Sequence, residues 1–444
     1  MQPSRANPLP AFFALLGYAV SSGVIIAALF ELGSWLGWSM YDRVRPSFPE
    51  LRKASPVYQG EGWAAEYWRE EFARQRSRQT YAPFKLWTAT SWHSTYINND
   101  RSESGTWRRT MNPPSSDCVS RRIRTVWVLG GSTVYGTGVP DWATLPSYLA
   151  HALNAAGSDC WMVTNLGIEG YVSNQELLQL FEQLKTNRQP EIVVFYDGVN
   201  DAAAAGAGPG PPEAHFYYGT IKNRVEGSMS GRLDFIRQSY AMRTIISLLR
   251  SWHRQRGSVI PAEQSRAKVL ATLNNYEENV RIAKALSESL NFELFWFWQP
   301  SLYYGHKPVV PFEQQVFEVN GSEENKRWSK VIAQVYQEAE TRAKIGDFVF
   351  LGGLFDSVHE PLYLDEAHLG PRGNEIAANF IADYIMKHSK ESRAQVSETK
   401  VRRDALPPCG WEDPSGKPRP VAAAFGVPAP RQPQPGDYLP APNN

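Results

Sequence analysis

Asp365-Glu366-Ala367-His368 places a carboxylate and an imidazole three residues apart, late in the chain. An imidazole titrates near neutrality, so it can take and return a proton, and a neighbouring carboxylate can orient it. Far upstream, Gly130-Gly131-Ser132-Thr133 follows the apolar run Val126-Trp127-Val128-Leu129. Between them lie Asn165-Leu166-Gly167-Ile168-Glu169-Gly170 and Gly198-Val199-Asn200-Asp201, the second after the apolar run 192–196. A serine, a glycine, an asparagine and a histidine thus occur in that order. Together they make the inventory for acyl transfer: a nucleophile, a base with its orienting acid, and donors for an oxyanion.

The surrounding elements alternate. Residues 126–129, 161–166, 192–196, 294–298 and 348–351 are short apolar runs that predict buried strands. Helices are expected over 141–154, with Asp141 as N-cap, and from 173 to about 185, with Ser173 and Glu176 as a capping box. Further helices are expected over 233–252, 265–290, 323–343 and 374–388, whereas 202–212, rich in Ala, Gly and Pro, reads as a loop. Strand–helix alternation implies a parallel sheet with helices on both faces, an α/β fold. Ligands of such sheets bind beyond the carboxyl ends of the strands, where Ser132, Gly170 and Asn200 would each sit.

With these four blocks in this order, the chain resembles the SGNH hydrolases, also called the GDSL esterase/lipase family. The resemblance covers roughly residues 122–388. It implies a three-layer α/β/α flavodoxin-like fold and a serine ester hydrolase without a cofactor. It assigns Ser132, His368 and Asp365 as catalytic residues, and Ser132, Gly170 and Asn200 as the oxyanion hole. The family's first block usually has Asp before the nucleophile; here that position is Gly131, the form of a divergent bacterial branch. The expected substrate is an acyl ester, with acetyl groups on a polysaccharide as the leading candidate. The alternatives are O-acetyl transfer to sugars, lipase or thioesterase activity, and a non-catalytic glycan- or partner-binding protein. Each residue also has a structural reading: Ser132 as a turn serine, Gly170 as relief of a tight turn, Asn200 as a helix cap. Asp197 and Asp201 read as structural, and Gln299 and Tyr171 as packing residues beside the cleft.

No second His or Cys stands at ligand spacing beside Asp365 and His368, so no metal is expected. Gly136-Thr137-Gly138 is too slight for a dinucleotide site. The 444 residues carry a formal net charge of +1, and no basic field points to nucleic acid. The three cysteines, Cys118, Cys160 and Cys409, make no disulfide framework; Cys118 and Cys160 can pair in an oxidising compartment or remain packed thiols.

The N-terminus is different in kind. No residue from Ala6 to Phe30 is charged, and Trp35, Trp38 and Tyr41 follow as an interfacial belt would. Residues 9–30 are therefore expected to anchor the chain in a lipid bilayer after a tail, 1–8; a cleaved signal peptide is the rival. Arg43, Arg45, Arg52 and Lys53, read by the positive-inside rule, place the large domain in the cytoplasm, whereas the family resemblance implies the extracytoplasmic, periplasmic side. Residues 31–121 form an aromatic-rich accessory segment: 61–72 patterns as an amphipathic helix, 87–97 as extended chain, and 98–105 as a turn. It either shapes one wall of the cleft or only covers the core. Residues 389–444 are Pro-rich with few large apolar groups, and read as a disordered tail.

Overall fold

The computed structural model describes residues 9–389, apart from 45–51, 54, 76, 103, 157–158, 186–188, 207–209, 227–238, 255–261 and 320–322. The apolar N-terminal run folds as helix α1, Leu9–Val44. The accessory segment gives helix α2 (Ala64–Arg74) and two antiparallel sheets: β1 (Gln79–Ala82) with β2 (Leu86–Ala89), and β3 (Trp92–His93) with β4 (Asn98–Ser102) and β5 (Gly105–Arg108). Alternation then begins with β6 (Ile123–Gly130), the short α3 (Ser132–Tyr135), α4 (Leu145–Ala156), β7 (Cys160–Asn165), α5 (Ser173–Leu184), β8 (Ile192–Asp197) and α6 (Val199–Gly206). Helices α7 (Tyr218–Val225) and α8 (Tyr240–Arg254) intervene before α9 (Ala262–Leu290), β9 (Glu293–Trp298), α10 (Pro311–Val319), α11 (Glu323–Ala343), β10 (Val349–Phe350) and α12 (Pro371–His388).

The five strands β6 to β10 form one parallel sheet in the order β7-β6-β8-β9-β10. This is the flavodoxin-like arrangement, and its topological switch point lies between β6 and β8. Both faces are apolar because successive side chains point to opposite sides. Val126, Val128 and Val194 pack with Leu149 and Leu153 of α4 and Ile381 and Ile385 of α12. Trp127, Leu129, Val193 and Phe195 pack with Leu180, Leu273, Tyr276, Val335 and Tyr336 from α5, α9 and α11. The result is the three-layer α/β/α arrangement read from the strand–helix alternation.

Several local expectations give way to tertiary demands. Residues 98–105, polar enough to read as a turn, include strand β4 and the start of β5; Asn99 earns its place in the sheet by donating to Thr90 O (2.9 Å) and accepting from the Tyr135 hydroxyl (3.0 Å). Asp141 does not cap a long helix. Its carboxylate is buried against Arg108 Nε (2.6 Å) and Asn98 Nδ2 (2.7 Å), and α4 starts only at Leu145. A buried guanidinium must be paired, which outweighs a cap. At the start of α5, Ser173 gives its hydroxyl hydrogen to Asp201 (2.6 Å), and it is Gln175, not Glu176, that reaches back to the Val172 amide (3.4 Å). The alanine run 202–205, read as loop, is helical in α6, in keeping with alanine's helix propensity. Of the helix expected over 233–252, residues 233–238 lie outside the described residues; so do the tail from 390 onward and Cys409.

The chain divides into two compact units, residues 1–51 with 217–262 and residues 52–216 with 263–444. In the first, α1 contains a span, Leu15–Tyr41, long and apolar enough to cross a membrane. Helix α8 lies along α1: Glu31 accepts from the Tyr240 and Ala241 amides (2.7 and 2.8 Å), filling N–H groups that a helix start leaves without partners. Trp38 donates to Thr244 Oγ1 (3.0 Å) and lies under the Arg243 guanidinium (3.8 Å).

In the second unit Cys118 and Cys160 are joined, with Cα atoms 5.5 Å apart, tying the approach to β6 to the start of β7. Closing this loop should stabilise the fold by about 2–4 kcal/mol. Cys118→Ser is expected to lower the urea midpoint of the oxidised protein accordingly, and to abolish the further lowering that reductant causes in the parent chain.

Candidate active site

Ser132 opens α3 directly past β6, and Asn200 lies in the first turn of α6 past β8. The two strands flanking the switch point therefore carry two of the four blocks. Gly170 lies in the loop after β7, and Asp365 and His368 in a loop closed by the Tyr363–Leu369 bridge. The sheet brings all of these strand ends to one edge.

His368 Nε2 lies 2.8 Å from Ser132 Oγ, and its Nδ1 lies 2.8 Å from both carboxylate oxygens of Asp365. The three-residue spacing lets one tight turn hold the pair: the Ala367 and His368 amides donate to Asp365 Oδ1 at 3.0 and 2.8 Å. Asp365 is fully buried. Arg52 forms an ion pair with its Oδ2 and approaches His368 Nδ1 at 3.4 Å. Burial opposes ionisation of Asp365, yet Arg52 and His368 beside it hold the carboxyl well below the usual carboxylate range. Burial, with the Asp365 charge alongside, pushes the Glu366 carboxyl up to about 7.

Asn200 donates its amide to Tyr171 O at 2.6 Å, which holds the side chain beside Gly131, the residue before Ser132. Position 131 explains the departure from the usual first block. A Cβ there would stand 2.3 Å from Asn200 Nδ2, so any side chain would push that amide aside. Gly170 has φ +79°, a left-handed conformation that disfavours other residues. Thr133 Oγ1 donates to Gln299 Oε1 (3.0 Å), fastening the serine turn to the end of β9.

The accessory segment grips the Gly170 loop from outside. Gln79 Nε2 and Trp87 Nε1 both donate to Glu169 O, at 3.1 and 2.9 Å, and the Tyr171 hydroxyl donates to Trp87 O. The Glu169 side chain accepts from Arg74 (3.3 Å) and Thr137 (3.1 Å). Arg74 also pairs with Glu71 (2.9 Å), and all three charged groups are buried. This segment holds the loop that carries Gly170 as well as covering the core. Which of its polar side chains hold the loop was not apparent from the amino-acid pattern, although Tyr67, Glu71 and Arg74 fall on one face of α2 at helical spacing, which is a signal for a buried ion pair. No pattern distinguished Arg52.

Beneath Asn200 lies a buried acid cluster. Asp201 accepts from Ser173, and Asp197 accepts from Trp296 Nε1 (3.0 Å) and the Tyr276 hydroxyl. Burial raises the Asp197 carboxyl to about 6; burial with the Asp197 charge raises Asp201 to about 7 and puts Glu176 well above its ordinary range. Among the described residues no group of three or more His, Cys, Asp or Glu side chains is arranged to hold a metal ion.

The sequence signature of the GDSL-like Lipase/Acylhydrolase family matches residues 128–376. The chain belongs to that family. It is a carboxylic ester hydrolase of the SGNH/GDSL type. No curated protein matches it. Among solved structures, it is similar to an acetyl xylan esterase, AlAXEase (15% identity, TM-score 0.29, 60% of this chain and 99% of that one). It is also similar to a carbohydrate acetylesterase family member from Sinorhizobium meliloti (17%, 0.28, 60% and 98%) and to a lipolytic G-D-S-L family member from Veillonella parvula (10%, 0.31, 60% and 99%).

The acid cluster fixes the sign of a pH dependence. Carboxyls whose folded pKa lies above the unfolded value stabilise the fold fully below the unfolded pKa, and that contribution is lost as pH rises through the folded one. For Asp197 and Asp201 the window runs from about 4 to about 7. The melting temperature of this hydrolase is expected to fall between pH 5 and pH 8, and Asp201→Asn should flatten the fall; a melting temperature rising over that window would contradict the assignment.

Proposed function

We propose that Ser132, His368 and Asp365 hydrolyse an acyl ester through an acyl-serine intermediate. The observation that carries this reading is the continuous chain from Ser132 Oγ through His368 to Asp365, each link 2.8 Å. Ser132 Oγ attacks the ester carbonyl as its proton passes to His368 Nε2. His368 Nδ1–H donates to Asp365, which fixes the tautomer and stabilises the imidazolium. The imidazolium then protonates the departing alcohol, and water repeats the sequence to release the acid. The oxyanion takes hydrogen bonds from the Ser132 and Gly170 amides and from Asn200, whose amide keeps one hydrogen beyond that given to Tyr171.

The substrate we favour is a small O-acyl ester, acetyl above all, on a carbohydrate. Trp87 is buried beside Gly170 with the partly exposed His215 ring 5.6 Å away, and Phe216 is exposed next along the chain. The accessible rings of His215 and Phe216 suit a sugar better than a long acyl chain. We place the catalytic unit on the extracytoplasmic side of a membrane crossed by α1, because the Cys118–Cys160 disulfide belongs to an oxidising compartment.

Acetate release from acetylated xylo-oligosaccharides and from p-nitrophenyl acetate by the full-length protein in detergent tests this. Ser132→Ala and His368→Ala should each lower kcat by roughly 10⁴-fold or more, and Asn200→Ala by roughly 10²–10³-fold with little change in KM. Acetate release unchanged in Ser132→Ala would sink the serine mechanism. Acetyl appearing on an added sugar acceptor in place of free acetate would make the enzyme a transferase.

A further inference from the structure

We infer that Arg52 is a positioning residue for this active site, clamping the Asp365 carboxylate at Oδ2, the oxygen it shares with His368; the inference rests on the triad reading above. Asp365 needs every one of its lone pairs accounted for, because it is ionised and without solvent. Two backbone amides and His368 Nδ1 reach Oδ1, and His368 and the Arg52 guanidinium share Oδ2. Arg52 Nη2 also stands 3.4 Å from His368 Nδ1, so one cation borders both members of the acid–base pair. The side chain is only one-fifth exposed, and a buried guanidinium in such a place persists when its carboxylate partner repays its desolvation.

Among the described residues, the charged and titratable groups that face the pair are Arg52, Glu366 from the same loop, and Tyr58 from the short turn Pro56–Tyr58, in addition to the Ser132 hydroxyl on His368 Nε2. Arg52 is the one cation among them. It does two things at once. It keeps Asp365 ionised and fixed in rotation, so that the imidazole presents Nε2 to the serine. It also offsets part of the carboxylate's charge, which limits how strongly the imidazolium is favoured. Removing it should free the carboxylate to rotate and take away the cation that stands 3.4 Å from the imidazole. Arg52 stands eight positions after the last residue of α1.

The test uses the full-length protein in detergent, with Arg52→Ala, Arg52→Gln and Arg52→Lys measured beside Ser132→Ala on p-nitrophenyl acetate. Arg52→Gln and Arg52→Ala should lose roughly 10–100-fold in kcat with KM within about twofold. The acid limb of their kcat/KM profile should move to higher pH, Arg52→Lys should retain most activity, and added ethylguanidinium should restore part of the rate to Arg52→Ala. Should Arg52→Ala fail to fold, the Gln and Lys variants decide by the same pH profile. An Arg52→Gln enzyme with the parent's kcat and acid limb overturns the inference while leaving the triad intact. A Ser132→Ala enzyme as fast as the parent overturns the triad reading, and this inference with it.

Discussion

An ionised carboxylate with no access to water is the constraint around which the rest of the site is arranged. Asp365 can remain charged only where donors and a cation replace its hydration, because the desolvation of a lone buried charge amounts to several kcal/mol. The Ala367 and His368 amides, the imidazole and Arg52 supply that replacement. Each of them also fixes geometry. The amides require the tight turn between residues 363 and 369, the turn sets the imidazole, and the imidazole reaches the serine at the carboxyl end of β6. The charge and the geometry are one problem with one solution.

The opposite wall is built on the same logic. The loop after β7 holds Gly170 at positive φ, and a loop alone would not remain there. Glu169 is the handle: its carbonyl takes two donors from β1 and β2, and its carboxylate is buried against Arg74 and Thr137. Burial works against that charge, while Arg74 and Arg78 keep the Glu169 carboxyl below its usual range. Asn200 completes the wall through Tyr171 O, and the absence of a side chain at Gly131 leaves room for its amide. A glycine before the nucleophile is thus compatible with a close asparagine.

The parallel sheet with helices on both faces was legible because buried parallel strands are continuous apolar runs separated here by helical patterns, whereas the flavodoxin-like strand order followed only from the family resemblance. The positions of Ser132, Gly170, Asn200, Asp365 and His368 followed from strand ends and from the late Asp–His spacing. What stayed hidden were polar side chains serving tertiary partners: Asp141 pairs with Arg108 in place of capping a helix, Ser173 hands its hydroxyl hydrogen to Asp201, and Asn99 lies in a strand whose polarity suggests a turn. Arg52 was silent for the same reason. It follows a membrane-type helix among other basic residues, where a guanidinium ordinarily signals orientation, and only its long-range approach to Asp365 shows another use. Local patterns record periodicity; they do not record which distant charge a buried group must meet.

Covalent capture of the serine is the most direct test of the account. The full-length protein in detergent would be treated with a fluorophosphonate, digested, and the modified peptide located by mass spectrometry, with His368→Ala and Asp365→Asn treated alongside. The account predicts a single adduct on Ser132, formed rapidly in the parent chain and slowly or not at all in the two variants. A folded parent protein that forms no adduct, or forms it on another serine, would contradict it.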